Sequence, residues 1–247
     1  TLFRSSYRSN SSQLAFSERV GRIWSFPTKV EIDSATNQQT NVDFHLNSWG
    51  NIMLISMARN DAIGKRDLYV SIKKQDNSWS RPKHMGNVLN TKGDESYVFL
   101  ALDGKTLYFS SDREGGLGDN DIWMSKRTDD SWKKWSEPVN LGNEINTDGW
   151  DAYYSIDAQG KYAYMANSKN SKGKEDIVRI KLKEEVQPDP VVLISGKVFN
   201  QKTNAPLDAT IAYNGLVDGK NYGVARTNPS TGEYTIVLPY GKNYDFT

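Results

Sequence analysis

A recurrence of about 55 residues constrains this chain more than any other feature of its sequence. Asp67-Leu68-Tyr69-Val70, Asp121-Ile122-Trp123-Met124 and Asp176-Ile177-Val178 are alike and stand 54 and 55 residues apart. Trp24-Ser25-Phe26-Pro27, Trp79-Ser80-Arg81-Pro82 and Trp135-Ser136-Glu137-Pro138 are spaced by 55 and 56. Gly86-Asn87-Val88-Leu89-Asn90-Thr91 returns 56 residues later as Gly142-Asn143-Glu144-Ile145-Asn146-Thr147. Landmarks that share one period define one structural unit, repeated.

Within the unit the pattern is that of strands. Tyr97 to Leu102 and Thr106 to Ser110 are apolar runs joined by Asp103-Gly104-Lys105, and a polar loop leads to Asp121-Ile122-Trp123-Met124. Asp-Gly between two such runs predicts a tight hairpin, because the turn needs positive φ. Gly50 and Gly160 predict the same turn in the neighbouring repeats. The Trp-Ser-x-Pro element predicts a fourth, edge strand, where Pro costs no ladder hydrogen bond. A four-stranded unit of this length is the signature of a β-propeller blade, so the expected class is all-β. Blades are expected at about 41–93, 94–149 and 150–185, with residues 1–40 holding the outer part of an earlier blade.

After Leu182 the composition changes. Val186 to Pro190 is proline-rich and reads as a short stiff linker between a partial propeller at 1–185 and a second domain at 191–247. Strands are expected at Val192–Phe199, Ala209–Tyr213, Tyr234–Pro239 and from Tyr244, forming a small antiparallel β-sandwich that the chain does not complete. With no initiator Met, the sequence is expected to be a piece of a longer protein.

Composition removes several functions. Lys plus Arg is 31 against 30 for Asp plus Glu, so there is no polyanion-binding bias and no nucleic-acid partner is expected. There is no cysteine, which excludes disulfides, thiolate metal sites and cysteine nucleophiles. No apolar run approaches the roughly 18 residues of a membrane-spanning helix.

Asp103-Gly104-Lys105, Tyr108-Phe109-Ser110-Ser111-Asp112-Arg113 and Asp121-Ile122-Trp123 resemble the WD40-like (PD40) repeats of the periplasmic TolB proteins. The long period and the Trp-Ser-x-Pro and Gly-Asn-x-x-Asn-Thr elements are similar to PorE-like, multidomain OmpA-family proteins of Bacteroidota. Gly196-Lys197-Val198, Thr203-x-x-Pro206, Gly232-x-Tyr234 and Leu238-Pro239-x-Gly241-x-x-Tyr244 resemble the carboxypeptidase-regulatory-like domain that follows the propeller in that family. The resemblance implies a non-enzymatic scaffold in the periplasm, associated with the outer membrane and with type IX secretion or gliding motility. It also implies a PorP/SprF-type barrel partner, and peptidoglycan held by an OmpA-like domain outside these residues. No cofactor is expected.

The residues themselves were weighed for chemistry. Asp112, Glu114, Asp119 and Asp121 are the densest acidic cluster, and a glycine-rich loop of oxygen ligands is how a calcium site is built. The corresponding loops keep mainly the last Asp, so a structural role is favoured and no metal is expected. His45 and His84 are the only histidines, and with no Gly-x-Ser-x-Gly elbow neither is expected to be catalytic. Asp94, Glu95 and Asp148 lie at repeat entrances and are read as structural because the positions recur. Trp24, Trp79 and Trp135 recur and are read as packing keys. Trp49, Trp132 and Trp150 do not, and these with Tyr153 are the candidates for a contact surface. The alternative to a scaffold is a glycan- or calcium-binding propeller module, which would show itself as asymmetry among the repeats.

Overall fold

A computed structural model describes residues 2–4, 14–17, 19–20, 23–33, 42–167, 176–217, 219 and 221–247. The chain divides into two compact units, Thr1–Pro188 and Asp189–Thr247. Among the described residues there is one short 3-10 turn, Glu184–Val186, and no helix long and apolar enough to cross a membrane.

The first unit opens with β1 (Leu2–Arg4), β2 (Ala15–Ser17), β3 (Arg19–Val20), β4 (Ile23–Trp24) and β5 (Thr28–Lys29). Three of these form an antiparallel sheet of order β1-β2-β5. Then come β6 (Asp43–Leu46), β7 (Ile52–Met57), β8 (Asp67–Ile72) and β9 (Lys83–His84), an antiparallel meander of order β6-β7-β8-β9. The next meander repeats it with β10 (Ser96–Leu100), β11 (Thr106–Ser111), β12 (Asp121–Lys126) and β13 (Val139–Asn140). A third sheet has β14 (Ala152–Ile156), β15 (Tyr162–Asn167) and β16 (Asp176–Lys181). The expected turns are present, with Gly50, Gly104 and Gly160 at φ of 69°, 67° and 72°. The edge strands β9 and β13 begin just after Pro82 and Pro138.

Alternation along the central strands explains how the sheets meet. Leu54, Leu68 and Val70 point one way and pack with Leu100, Leu107, Phe109 and Trp123 of the next sheet. Met53, Ile55 and Tyr69 point the other way, toward Val30, Leu14 and Phe16. Tyr108, Ile122 and Met124 repeat the arrangement against Tyr154, Ala163 and Met165. Sheets that bury both faces against their neighbours form a propeller-like stack, each side chain of this size contributing roughly 1.5–3 kcal/mol.

Polar ties recur at the same seams. Ser56 Oγ donates to the Glu95 carbonyl at 2.6 Å, and Ser110 Oγ to the Asp151 carbonyl at 2.6 Å. The loops also approach closely: a Cβ on Gly64 would lie 2.1 Å from the Gly93 carbonyl oxygen, and one on Gly118 would lie 2.5 Å from that of Gly149. Glycine is required there because backbone meets backbone.

The recurring tryptophans differ from expectation at one place. Trp79 and Trp135 are buried, but Trp24 is 51% exposed. The stretch expected as a linker is also partly engaged, since the Tyr108 hydroxyl donates to the Val186 carbonyl at 2.7 Å and Val186 packs on the third sheet's core.

The second unit contains β17 (Val191–Lys197), β18 (Thr210–Gly215), β19 (Asn221–Arg226), β20 (Glu233–Pro239) and β21 (Tyr244–Phe246). They form two small antiparallel sheets, β17-β20 and β19-β18-β21. Tyr213, Ile236 and Leu238 are its buried core, with Ile194, Ile211 and Tyr244 packed on them. The sequence reading missed β19. Gly223 interrupts its pattern because the Tyr213 ring occupies the space where a Cβ would sit, 2.5 Å from the hydroxyl oxygen.

Candidate functional site

The first strands of three successive sheets, β6, β10 and β14, border a cavity of about 330 Å³. Its lining includes Asp43, Phe44, His45, Tyr97, Phe99, Tyr153 and Tyr154. Two of these strands carry a defect at the same point. β10 shifts register between Ser96 and Phe99, and β14 between Ala152 and Ser155. The inserted residues are Tyr97 and Tyr153, at φ of 48° and 57°. A bulge re-aims one side chain out of the alternating pattern. Placing a bulky L-residue in the left-handed region costs roughly 1–3 kcal/mol, so two strained tyrosines facing one cavity mark a functional candidate.

The re-aimed rings cluster with a tryptophan. Tyr97 lies 5.1 Å from Trp150 and 4.5 Å from Tyr153, centroid to centroid, and Trp150 lies 5.9 Å from Tyr153. At these separations the rings touch one another and leave no gap for a caged cation. They form a platform. Trp150 is 43% exposed and Tyr153 is 57% exposed, so the platform has open faces.

Beside it lies a charged triplet. Arg66 donates through Nε and Nη2 to both oxygens of Asp94, at 2.6 and 2.9 Å, and through Nη1 to Asp43 at 2.8 Å. Its guanidinium carbon is 5.9 Å from the centre of the Tyr97 ring. Burial, partly offset by Arg66 and by the Tyr97 backbone N–H, holds the Asp43 carboxyl above the usual carboxylate range. Burial likewise raises the Tyr97 phenol, which shares a hydrogen bond with Tyr153.

The acidic residues at the repeat entrances separate into two kinds. Glu95 accepts from the Thr91 N–H at 3.0 Å and the Thr91 hydroxyl at 2.7 Å, and Asp151 accepts from the Thr147 N–H at 2.6 Å. These are structural, as expected. Asp94 is different, because its counterpart in the next repeat is Trp150: Arg66 bridges Asp94 as Asn120 bridges Trp150. The reading of Asp94 as a recurrent structural carboxylate is therefore corrected. Asp43 is not repeated either, pairing with Ser56 where the following sheets pair Ser96 with Ser110 and Ala152 with Ala166. The sequence showed these differences once the repeats were aligned on Thr91 and Thr147, but Arg66 and Tyr97 carried no separate signal.

Of the four candidate surface aromatics, the structure brings Trp150 and Tyr153 together. Trp132 is corrected: it is buried against Trp135, with Arg127 over its ring at 4.4 Å. It adopts φ of 65°, as does Asn77 in the turn of the preceding sheet. Trp49 is half-buried and lies against the Gly104 turn of the following sheet.

The acidic loop holds itself together. Asp121 accepts from the N–H groups of Leu117 and Gly118 at 2.6 and 3.2 Å, while Asp112 accepts from the Asp94 N–H and pairs with Lys65. Glu114 and Asp119 are exposed, and among the described residues no three acidic or histidine side chains converge on a metal position. His84 has a carboxylate partner that its sequence neighbourhood did not show, Asp67 at 2.8 Å. Asn140 makes the equivalent bond to Asp121 at 2.6 Å, so the histidine fills a structural place in the repeat. His45 stacks edge-on to Phe99 at 4.8 Å, and burial lowers its pKa to about 4.

No protein-family model matches the chain, and neither does any curated protein. Among solved structures it is similar to an endo-arabinase from Bacteroides thetaiotaomicron, at 11% identity and a TM-score of 0.46, over 92% of this chain and 85% of that one. It is also similar to a periplasmic gluconolactonase from Pseudomonas aeruginosa, at 11% identity and a TM-score of 0.39, over 96% and 80%. At this identity the likeness concerns the all-β, propeller-like fold alone. Neither title is that of an OmpA-family, secretion or gliding protein. The expected non-enzymatic scaffold gains no support from these chains, both titled as enzymes, and is not carried forward.

Proposed function

We propose that the first unit, read as part of a propeller, takes a carbohydrate at the seam between the sheets that begin with β10 and β14. The observation that carries this reading is the platform of Tyr97, Trp150 and Tyr153 beside Asp43 and Asp94, in which both tyrosines are strained and Trp150 and Tyr153 are exposed. A sugar ring has an apolar C–H face and a rim of hydroxyl donors. Aromatic faces cover the first, and carboxylates accept from the second. Leaving the platform uncovered forgoes roughly 25 cal/mol for each Å² of apolar surface, which a stacked ligand recovers.

The second unit is read as the small antiparallel sandwich expected from its motifs, with the core around Tyr213 serving its own stability. The calcium alternative has no comparable support, because the acidic loop spends its carboxylates on backbone N–H groups and Lys65.

Affinity electrophoresis of the chain through gels containing soluble arabinans, xylans and β-glucans tests the proposal. Retardation by at least one polysaccharide, abolished by Trp150→Ala with the fold intact, is expected. Mobility that no polysaccharide alters would overturn the reading. Reducing-end release in matched solutions separates a site that cleaves from one that only holds.

A further inference from the structure

We infer that this site, on the carbohydrate reading above, selects uncharged sugars against their uronate counterparts, and that Asp94 is the residue that sets the selection. The argument is one of charge and availability. Arg66 lies 5.9 Å from the centre of the Tyr97 ring, and it is 8% exposed. Three of its nitrogens are committed, two to Asp94 and one to Asp43, in a geometry that matches the guanidinium fork. It has no open edge to offer a ligand carboxylate.

The two aspartates outnumber it. With both ionised, the triplet carries one negative charge that Arg66 does not compensate. Their side chains are 25% and 22% exposed, Asp43 lines the cavity, and Asp94 is joined to it through Arg66, so the charge is not buried out of reach. Lys65, beside Arg66 in the sequence, is paired with Asp112 at 3.0 Å. His45 adds no positive charge near neutral pH, because burial keeps it unprotonated down to about 4. A uronate stacked on Trp150 or Tyr153 therefore meets repulsion that neither Arg66 nor Lys65, both already paired, is placed to answer. A hydroxyl-rich neutral ring meets acceptors.

Asymmetry assigns the role to Asp94. At the equivalent place in the next repeat the chain carries Trp150, so one repeat supplies the stacking face and the other the charge. A carboxylate is not needed there to hold the turn, since Glu95 and Asp151 do that in both repeats. Replacing Asp94 by the isosteric amide removes the excess charge and keeps a partner for Arg66.

Isothermal titration of the whole chain tests this, with arabinopentaose, xylopentaose and cellopentaose as uncharged probes and pentagalacturonate as the uronate. The expected result is binding of an uncharged probe and about tenfold or weaker binding of the uronate at low salt. Added salt should narrow the gap by strengthening uronate binding, because the interaction screened is repulsive. Asp94→Asn should narrow it as well, with Asp43→Asn as the second variant if the first melts early. Uronate binding equal to or tighter than every uncharged probe overturns the inference and leaves the carbohydrate reading standing. No binding of any probe by folded protein overturns both. A gap that salt widens also overturns it, and the salt series needs no variant to be read.

Discussion

Trp150 lies edge-on to Tyr97, with ring planes at 83° and centroids 5.1 Å apart, although the two come from different sheets. Such a contact contributes about 0.5–1.5 kcal/mol beyond the area it covers. Trp150→Ala is expected to lower stability by about 1 kcal/mol, since the residue is half open to solvent. Carbohydrate binding should fall by tenfold or more. Urea unfolding and titration calorimetry on the same preparation read both quantities. A large stability loss with unchanged binding would make Trp150 a packing residue.

Tyr153 gives the opposite balance. Its φ of 57° suits asparagine better than tyrosine, and its ring is 57% exposed. Tyr153→Asn is expected to keep or raise the melting temperature, because relief of strain offsets the lost ring contacts. Binding should weaken all the same. A melting temperature several degrees lower would show that the backbone at this bulge is not strained.

Removing the cation between two carboxylates leaves both without their partner. Arg66→Met is expected to cost about 2 kcal/mol, toward the low side for a buried pair because both aspartates retain some solvent. Adding Asp43→Asn and Asp94→Asn to that variant should restore much of the loss. Denaturant titrations of the single and triple variants check this. Absence of any rescue would locate the cost in packing of the arginine stem.

His45 ties stability to acidity. Its pKa in the fold is about 4 against an ordinary 6.5, so the fold disfavours the protonated ring. That contribution is complete above pH 6.5 and is lost as pH falls through that value toward 4, in all on the order of 3 kcal/mol. Glu95 and Asp151 act in the other direction, because burial raises both carboxyls and acid therefore relieves them. The difference between wild type and His45→Phe isolates the histidine. It should shrink steadily from neutral pH down to about pH 4. A difference that stays constant with pH would mean that His45 is not held neutral.

The hydroxyl ties at the seams are each expected to matter once. Ser56→Ala and Ser110→Ala each leave a carbonyl of the following sheet without its donor, at a cost of about 1 kcal/mol. Their double variant should lose the sum, because the two seams share no group. Thermal melting of the three variants measures it.

The repeat made the stacked sheets legible, because spacing reports register directly: Asp67 and Asp121 open β8 and β12, and the Gly50, Gly104 and Gly160 turns fall where φ is positive. The site was only half legible. Trp150 stood out by not repeating, but Tyr97 and Tyr153 are equivalent residues whose bulges follow from hydrogen-bond register, which side-chain pattern does not encode. Arg66 lies 28 residues before Asp94 and meets it only when adjacent sheets stack. Trp132 also fails to repeat, yet it is a packing residue, because Trp135 and Arg127 close over it and neither contact shows in the spacing.

The carboxylate-capped turns at Thr91–Glu95 and Thr147–Asp151 divide labour within five residues. The capping acid and the threonine fix the path of the main chain, while the residue just before the acid keeps its side chain out of that task. Asp94 and Trp150 occupy this vacancy with opposite chemistries on the same peptide geometry. The stack of sheets thereby carries two matching sockets in which the side chain can change by a single substitution without disturbing the turn that presents it.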